Sequence, residues 1–291
     1  MASRQQIKQR IGSVKNTKQI TRAMQLVSAS KLRRAQEAAV GPSAYATLAR
    51  EILTRLRQLA ADDSEFHLFT ERPIKHRLLI VITSDLGLAG AYDGNVLRRM
   101  IQEAQADKAK GIKTSVISIG RKAAQTASHI AALSIVGVYQ ELPDHPDINQ
   151  LSPIITSAVS LFAEAEVDAV DIIYTHYKST ISQEVLQRRL LPAGFEFEEA
   201  EISDELAHAD IEPSPEALLK EVMIHLLEAQ VYQAFLDAIA SEHSMRMLAM
   251  KSATDNASDL IEDLTLAYNN ARQAAITQEL AEISGGVEAM K

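Results

Sequence analysis

The sequence predicts an α/β protein in which a long antiparallel coiled coil, made from the N- and C-terminal helices, is joined to a small open α/β domain. Residues 216–284 contain neither proline nor glycine, and residues 3–40 contain one glycine and no proline. Short β-branched runs alternate with helical stretches in the middle of the chain. We expect an N-terminal coiled-coil region over 1–58, an α/β domain over 76–195 and a C-terminal helix over 212–291.

The N-terminal region has the residue spacing of an amphipathic helix. Its apolar residues recur mostly three or four positions apart. Gly41-Pro42 predicts a break, because an internal proline removes a helical hydrogen bond, and a second helical stretch is expected after it. The apolar positions are Ile7, Ile11, Val14, Ile20, Met24 and Val27 before the break, and Tyr45, Leu48, Ile52, Leu56 and Leu59 after it.

The C-terminal region predicts a helix that is too long for a globular core. Its 69 unbroken residues would extend roughly 100 Å at 1.5 Å per residue, so the helix has to pair with another long helix or lie inside a partner. Two seams step mostly by three and four residues, near the 3.5-residue period of a left-handed coiled coil. The first seam is Leu227, Val231, Ala234, Ala238, Ser241, Met245, Leu248 and Ser252, and the second is Ala249, Ala253, Ala257, Leu260, Leu264, Ala267, Ala271 and Ala274.

Alanine at many seam positions lets two helices approach closely, so we expect a tight antiparallel pair. An ordinary bundle of shorter helices is the alternative. The charges favour the pair: residues 1–58 contain twelve Lys and Arg against two acids, whereas residues 212–291 contain thirteen acids against five Lys and Arg. A basic helix can also bind nucleic acid through phosphate contacts, although no aromatic residues interleave with these cations to stack on bases.

The composition excludes several classes of protein. The chain has no cysteine, which excludes disulfides, cysteine–zinc sites and thiol nucleophiles. Its longest clean apolar run, Leu78 to Ile82, is far shorter than the 18 or so residues that cross a bilayer. The N-terminus shows no apolar signal region, so we expect a protein that works in the compartment where it is made, or a trimmed mature form.

The middle of the chain predicts a small α/β domain of the open parallel, Rossmann-like type. Strands are expected over 77–83, 113–119, 132–138, 171–177 and 183–191, the last two as a hairpin. Helices are expected over 95–110, after Gly120, and over 154–166, with Pro143, Pro146 and Pro153 in a loop before the last of them.

The glycine-rich turn after the first strand, residues 84–95, is the first place to look for chemistry. Its pattern, Gly87-x-x-Gly90-x-x-x-Gly94, is neither a dinucleotide fingerprint nor a P-loop. No Lys or Arg occurs from Ser84 to Leu97, and Asp85 would repel a phosphate, so we interpret the segment as a structural turn. His176 is a lone histidine, and His225 and His243 lie too far apart to share a metal. We therefore expect no catalytic residue, no cofactor and no metal.

Three segments resemble the γ subunit family of the F-type ATP synthases, over essentially the whole chain. The segment IKQRIGSVKNTKQITRAMQLVSASKLRRAQ, from Ile7 to Gln36, is similar to the N-terminal signature of that family. TSDLGLAGAY, from Thr83, resembles its SDRGLCGGF-type loop, with Leu86 in place of the usual Arg and without the Cys. ATDNA, from Ala253, and YNNARQAAITQELAEISGG, from Tyr268, resemble the C-terminal signature.

This resemblance implies a central rotor shaft that is not itself a catalyst. It implies that the coiled coil turns inside a ring of α and β subunits and couples proton flow through a c-ring to ATP synthesis and hydrolysis, with subunit ε as a further partner. It implies no nucleic-acid partner, no redox regulation, and a peripheral position on the cytoplasmic face of a bacterial inner membrane, or on the mitochondrial matrix face for a trimmed form. It also implies contacts with the ring at Met24, Lys31, Arg33, Arg272, Gln273, Thr277, Glu279 and Ile283. Ile283 is the first residue of an apolar tip, 283–290.

Overall fold

The structure is a computed structural model and describes residues 4–59, 68, 71–192 and 215–289. It divides into two compact units. Unit 1 comprises residues 1–28 and 246–291, the two ends of the chain. Unit 2 comprises residues 29–245 and contains the α/β domain together with the adjoining parts of both long helices.

The order of the elements follows the expected alternation of strands and helices. The helices are α1 (Arg4–Leu59), α2 (Tyr92–Ala109), α3 (Arg121–Ala127), α4 (Ile148–Ala163) and α5 (Pro215–Ala289). The strands are β1 (His76–Ile82), β2 (Lys113–Ile119), β3 (Leu133–Tyr139), β4 (Ala169–Tyr177) and β5 (Gln183–Leu191). Each expected strand is present within two residues of its expected ends, and the unbroken C-terminal helix is confirmed.

Two expected helix boundaries are wrong, and proline is the reason in both cases. The backbone of α1 stays helical through Gly41 and Pro42, because one proline removes a single hydrogen bond from a helix of 56 residues. Helix α4 begins at Ile148 rather than at 154 and contains Pro153. A capping box, in which Asp147 and Gln150 satisfy each other's backbone N–H groups, starts this helix ahead of the proline.

The strands form one five-stranded sheet in the order β3-β2-β1-β4-β5. Strand β1 pairs in parallel with β2 and β4, and β2 pairs in parallel with β3. Strand β5 pairs antiparallel with β4, which confirms the expected hairpin. The open order, in which the chain reverses direction across the sheet beside β1, is that of a Rossmann-like domain.

Both faces of the sheet are covered, which explains the nearly continuous apolar runs of β1 and β4. Side chains of α2 and α3 cover one face, with Leu79 and Val81 of β1 beneath them. Side chains of α4 and α5 cover the other face, over Ile80 and Ile82. Much of the first expected seam lies in this second cluster and packs with the sheet rather than along a coiled coil. Those members are Leu227, Val231, Ala234 and Ala238.

A buried ionic cluster joins α2 to β1 and β4. The Arg77 guanidinium lies 2.9 Å from a Glu103 carboxylate oxygen, 3.2 Å from one of Asp107 and 3.5 Å from one of Asp171. Asp171 also pairs with Arg189 of β5. Burial raises the pKa of Asp107 even though Arg77 acts in the opposite direction. Because removing one partner leaves a buried charge uncompensated, this cluster fixes the helix to the sheet.

Gly120 supplies a stability prediction. Its φ is +90°, and a Cβ atom there would lie 2.0 Å from the Thr83 carbonyl oxygen. Gly120→Ala adds backbone strain to a steric clash, and we expect it to lower the free energy of unfolding by about 2–5 kcal/mol. Urea denaturation followed by circular dichroism measures the change.

Gly111→Ala is the matched control. Gly111 also has a positive φ, +73°, but no atom lies within 4 Å of its added Cβ. We expect only the strain cost, about 1–2 kcal/mol. Equal losses for the two variants would contradict the clash at Gly120.

Candidate partner-binding surface

The two chain ends in unit 1 form a coiled-coil seam. The covered positions alternate by four and three residues on both helices, which is the heptad spacing of helices that pack side by side. On α1 the buried or half-buried positions that follow this spacing are Ile7, Ile11, Val14, Lys18, Thr21, Gln25 and Ser28. On α5 they are Met250, Thr254, Ala257, Ile261, Leu264, Tyr268 and Ala271.

A hydrogen bond fixes the register of this pair. The hydroxyl oxygens of Thr21 and Thr254 lie 2.8 Å apart, and both side chains are buried. In an antiparallel pair, one heptad forward on α1 corresponds to one heptad back on the facing helix. The Thr21–Thr254 contact therefore sets Val14 level with Ile261, and Ile7 level with Tyr268.

The expected seam is correct at some positions and wrong at others. Ala257, Leu264 and Ala271 are on it, one heptad apart. Three other positions of the expected seam, each three residues after one of these, are exposed, and the residue that follows each exposed position is covered instead. These exposed positions are Leu260, Ala267 and Ala274. On α1, Thr21 and Ser28 are buried where Ile20 and Val27 were expected. An apolar pattern misses small polar seam residues, because they carry no hydrophobic signal.

The outward face of α1 in unit 1 combines apolar and basic side chains. Ile20 is 60% exposed, Leu26 is 60% exposed and Val27 is 56% exposed. Met24 is half-buried beside them, and Arg22 is exposed. Exposed apolar groups that lie close together on a helix mark a surface that binds another protein. The flanking cations favour a partner with acidic groups.

Lys31 and Arg33 belong to the part of α1 in unit 2, and both have partners within the chain. The Lys31 ammonium lies 2.9 Å from an Asp144 carboxylate oxygen, and His243 Nε2 lies 3.2 Å from the other oxygen. The hydrogen bond to His243, together with the Lys31 ion pair, lowers the pKa of Asp144 despite its burial. Arg33 pairs with Glu37 one turn later, at 2.9 Å.

The four polar residues expected near the C-terminus are all exposed. Arg272, Gln273, Thr277 and Glu279 lie beyond the last seam position that α1 can cover. The Thr277 hydroxyl donates to the Gln273 carbonyl oxygen at 3.0 Å within the helix.

An apolar stripe runs beside these polar residues. Ile276, Leu280 and Ile283 are four and three positions apart, and all three are exposed. Ile276 and Leu280 are not among the residues expected from the sequence, although their spacing of four and three residues to Ile283 indicates one apolar side of a helix. Most side chains of the expected 283–290 tip lie outside the described residues.

The glycine-rich turn is fastened by acidic side chains. The Asp85 carboxylate accepts hydrogen bonds from the backbone N–H groups of Arg121, at 2.9 Å, and Glu141, at 2.8 Å. Asp93 accepts from the backbone N–H and hydroxyl of Ser84. Asp85 thus joins the loops that follow β1, β2 and β3.

The histidines also have structural partners. His176 Nδ1 lies 2.6 Å from an Asp237 carboxylate oxygen, which links β4 to α5. Burial raises the pKa of Asp237, although the His176 hydrogen bond opposes the shift. Within the described residues, no group of three or more acidic or histidine side chains could hold a metal ion. Nor does any described helix have the length and hydropathy of a membrane span.

Comparison with known proteins decides the family. A family model described as ATP synthase matches residues 3–290. The ATP synthase gamma chains of Stenotrophomonas maltophilia (strain R551-3) and Xanthomonas campestris pv. campestris (strain B100) are each 40% identical to this chain over 294 aligned positions, and each alignment covers all of both chains. The chain belongs to the ATP synthase gamma chain family. The resemblance of its three segments is thereby confirmed, including the closely similar C-terminal one.

Solved structures of the family share this fold. A chain from the Euglena gracilis mitochondrial ATP synthase, in rotational state 3, has a TM-score of 0.64 and is 18% identical, with 98% of this chain and 93% of that chain covered. A central stalk and c-ring structure from Tetrahymena thermophila contains a chain with a TM-score of 0.60 and 22% identity, covering 80% of this chain and 99% of that one. These matches confirm the predicted fold class.

The seam supports a prediction about two alanines ten residues apart. Ala257 is buried on the seam, whereas Ala267 is exposed. We expect Ala257→Leu to lower the free energy of unfolding by about 1–3 kcal/mol, because added methylenes overpack a buried position on the seam. Chemical denaturation of the full chain measures the loss.

Ala267→Leu is the control for this variant, since it adds the same atoms to the same helix at an exposed position. We expect its effect to stay within about 0.5 kcal/mol. A larger loss for Ala267→Leu than for Ala257→Leu would show that the register is wrong.

Proposed function

We propose that this chain is the non-catalytic rotor shaft of an F1Fo ATP synthase. Its paired helices turn inside the ring of α and β subunits and couple proton flow through the c-ring to ATP synthesis and hydrolysis on the β subunits. The observation that carries the proposal is the exposed end of α5. Residues 272–281 lie beyond the seam and expose most of their side chains, including apolar ones, so this segment needs a partner outside the chain.

The proposal assigns a task to each region. Residues 1–58 and 212–291 supply the shaft, and 76–195 supply the foot, which contacts subunit ε and the c-ring. The protein is peripheral, on the cytoplasmic face of a bacterial inner membrane, as the bacterial relatives at 40% identity suggest. A trimmed form on the mitochondrial matrix face is the alternative.

The proposed ring contacts divide into three groups. Arg272, Gln273, Thr277 and Glu279 form hydrogen bonds and ion pairs with loops of the ring. Ile283, with Ile276 and Leu280, forms an apolar end that turns against an apolar collar. Met24, Lys31 and Arg33 lie on the basic helix and face acidic segments of the β subunits, and Lys31 also keeps its ion pair with Asp144.

Co-assembly tests the proposal directly. We expect the full chain to elute with α and β subunits as one stoichiometric complex with ATPase activity. Ile276→Ser combined with Leu280→Ser removes apolar contacts of the tip and should weaken assembly or ATP-driven proton pumping several-fold. Ile181→Ser, at an apolar residue 87% exposed in unit 2 and outside the proposed ring contacts, is the control for assembly and should leave co-elution with the α and β subunits unchanged. Failure of the unaltered chain to join the complex would overturn the proposal.

Met24→Lys tests coupling. Met24 is a flexible, polarisable side chain that can slide past changing neighbours, and a lysine there would form an ion pair that holds one rotary position. We expect ATP-driven proton pumping in reconstituted vesicles to fall several-fold while assembly is retained. Pumping equal to that of the unaltered complex would show that Met24 does not face the ring.

The main rival is a nucleotide-using enzyme built on the α/β domain. We expect the isolated chain neither to hydrolyse ATP nor to bind it tightly, because residues 84–97 contain no cation and the Asp85 carboxylate already accepts from the backbone N–H groups of Arg121 and Glu141 in the neighbouring loops. Isothermal titration calorimetry measures this. Tight stoichiometric binding of ATP to the chain alone would favour the enzyme.

A further inference from the structure

Unit 2 contains a polar cavity beside the α/β domain. It has a volume of about 360 Å³ and lies between α2, the β4–β5 hairpin and the last α5 residue of the unit, Met245. This volume is at the lower end of the roughly 300–1,000 Å³ of small-molecule sites. The cavity shares no residue with the proposed ring contacts.

One face of α2 forms a polar wall of the cavity. Asn95, Arg98, Arg99 and Gln102 follow each other at helical spacing, so their side chains share one side of the helix. Arg99 already has partners, since it hydrogen-bonds the Gln187 side-chain oxygen at 3.0 Å and pairs with Glu103 at 3.0 Å. Arg98 is exposed and has no ion-pair partner among the residues that the structure describes. It is the cation available to a ligand.

The opposite wall carries one acidic group, Glu184, and a lysine forms an ion pair with it. Glu184 lies 2.5 Å from the Lys178 ammonium, whose hydrogen bond lowers the pKa of the glutamate. Its negative charge is therefore balanced by a neighbour outside the cavity lining. The lining as a whole keeps the positive charge of Arg98, which favours an anionic ligand.

The hairpin side of the cavity includes a buried hydroxyl and a hydrogen-bonded amide. Thr175 is 3% exposed, and its buried hydroxyl has no hydrogen-bond partner in the described part of the chain. The Gln183 side-chain amide, beside it, donates to Thr180 and Ser244. Because the Thr175 hydroxyl oxygen has almost no accessible surface, it lies behind the cavity wall and offers no contact to a ligand.

We propose that this cavity binds a small anion, such as a phosphate monoester or a dicarboxylate. The Arg98 guanidinium donates to the anionic oxygens, and the Asn95 and Gln102 amides hold the remaining polar atoms. A ligand in this position would contact α2, the hairpin and α5 together and so stiffen the junction between the α/β domain and the long helix. The proposal is independent of the rotor function.

Calorimetric titration of the full chain tests the site. Inorganic phosphate and succinate are the two probes, and their relative affinities distinguish a phosphate site from a carboxylate site. We expect saturable one-to-one binding of at least one probe. Arg98→Gln should weaken it about tenfold or more, because hydrogen bonds to charged groups are the strong ones, and Arg98→Lys should lose less.

Lys108→Gln is the matched control, because it removes one exposed cation from α2 outside the cavity. It should leave the affinity unchanged. Circular dichroism spectra establish that each variant is folded. The proposal is overturned if a folded chain shows no saturable binding of either probe at 10 mM, if Arg98→Gln binds as tightly as the unaltered chain, or if Lys108→Gln loses as much affinity as Arg98→Gln.

Discussion

The unbroken backbone of α5 is the constraint on which the other features depend. With neither proline nor glycine over 216–284, the helix cannot turn back, so each segment needs its own cover. Residues from Met223 to Ala238 contribute to the core beneath the sheet. Residues from Met250 to Ala271 alternate in burial with a heptad period, and those beyond are largely exposed. Each change of environment changes which side of the helix must be apolar, so no single stripe runs along its whole length.

The seam in unit 1 is built from small and polar side chains more than from large apolar ones. A threonine pair contributes about 1 kcal/mol net through its hydrogen bond, less than a well-packed leucine layer would through apolar burial. What it adds is a direct polar contact between the two helices at one level of the seam, besides the hydrogen bonds that the two hydroxyls make to the Lys18 and Met250 carbonyl oxygens of their own helices. This arrangement also leaves Ile20, Leu26 and Val27 on the outside of α1, where they can contact another protein.

The sequence predicts the α/β domain more accurately than it predicts the seam, for a physical reason. Strands β2 and β5 have the expected ends because turn residues bound them, Gly111 and Gly120 around β2 and Ser182 and Pro192 around β5. At the seam, alanines occur on the covered and exposed sides alike, so Ala257 and Ala267 cannot be told apart until the register is known. Proline misleads in a different way. At Pro42 and Pro153 the rest of the helix outweighs the loss of one hydrogen bond, which a residue-by-residue rule does not include.

At the carboxyl ends of β1, β2 and β3, a side-chain carboxylate accepts the backbone hydrogen bonds that a nucleotide phosphate usually accepts in open α/β domains. In open α/β sheets the carboxyl ends of the strands form the crevice where nucleotides bind, and backbone N–H groups at helix starts meet the phosphates. Here the carboxylate of Asp85 accepts from the N–H of Arg121, at the start of α3, and from that of Glu141. The chain thus supplies its own anion, which ties together the loops after β1, β2 and β3. The same contacts that would hold a phosphate instead hold loops to one another, which makes this edge stiffer. Stiffness at this edge suits a domain that transmits force along its helices.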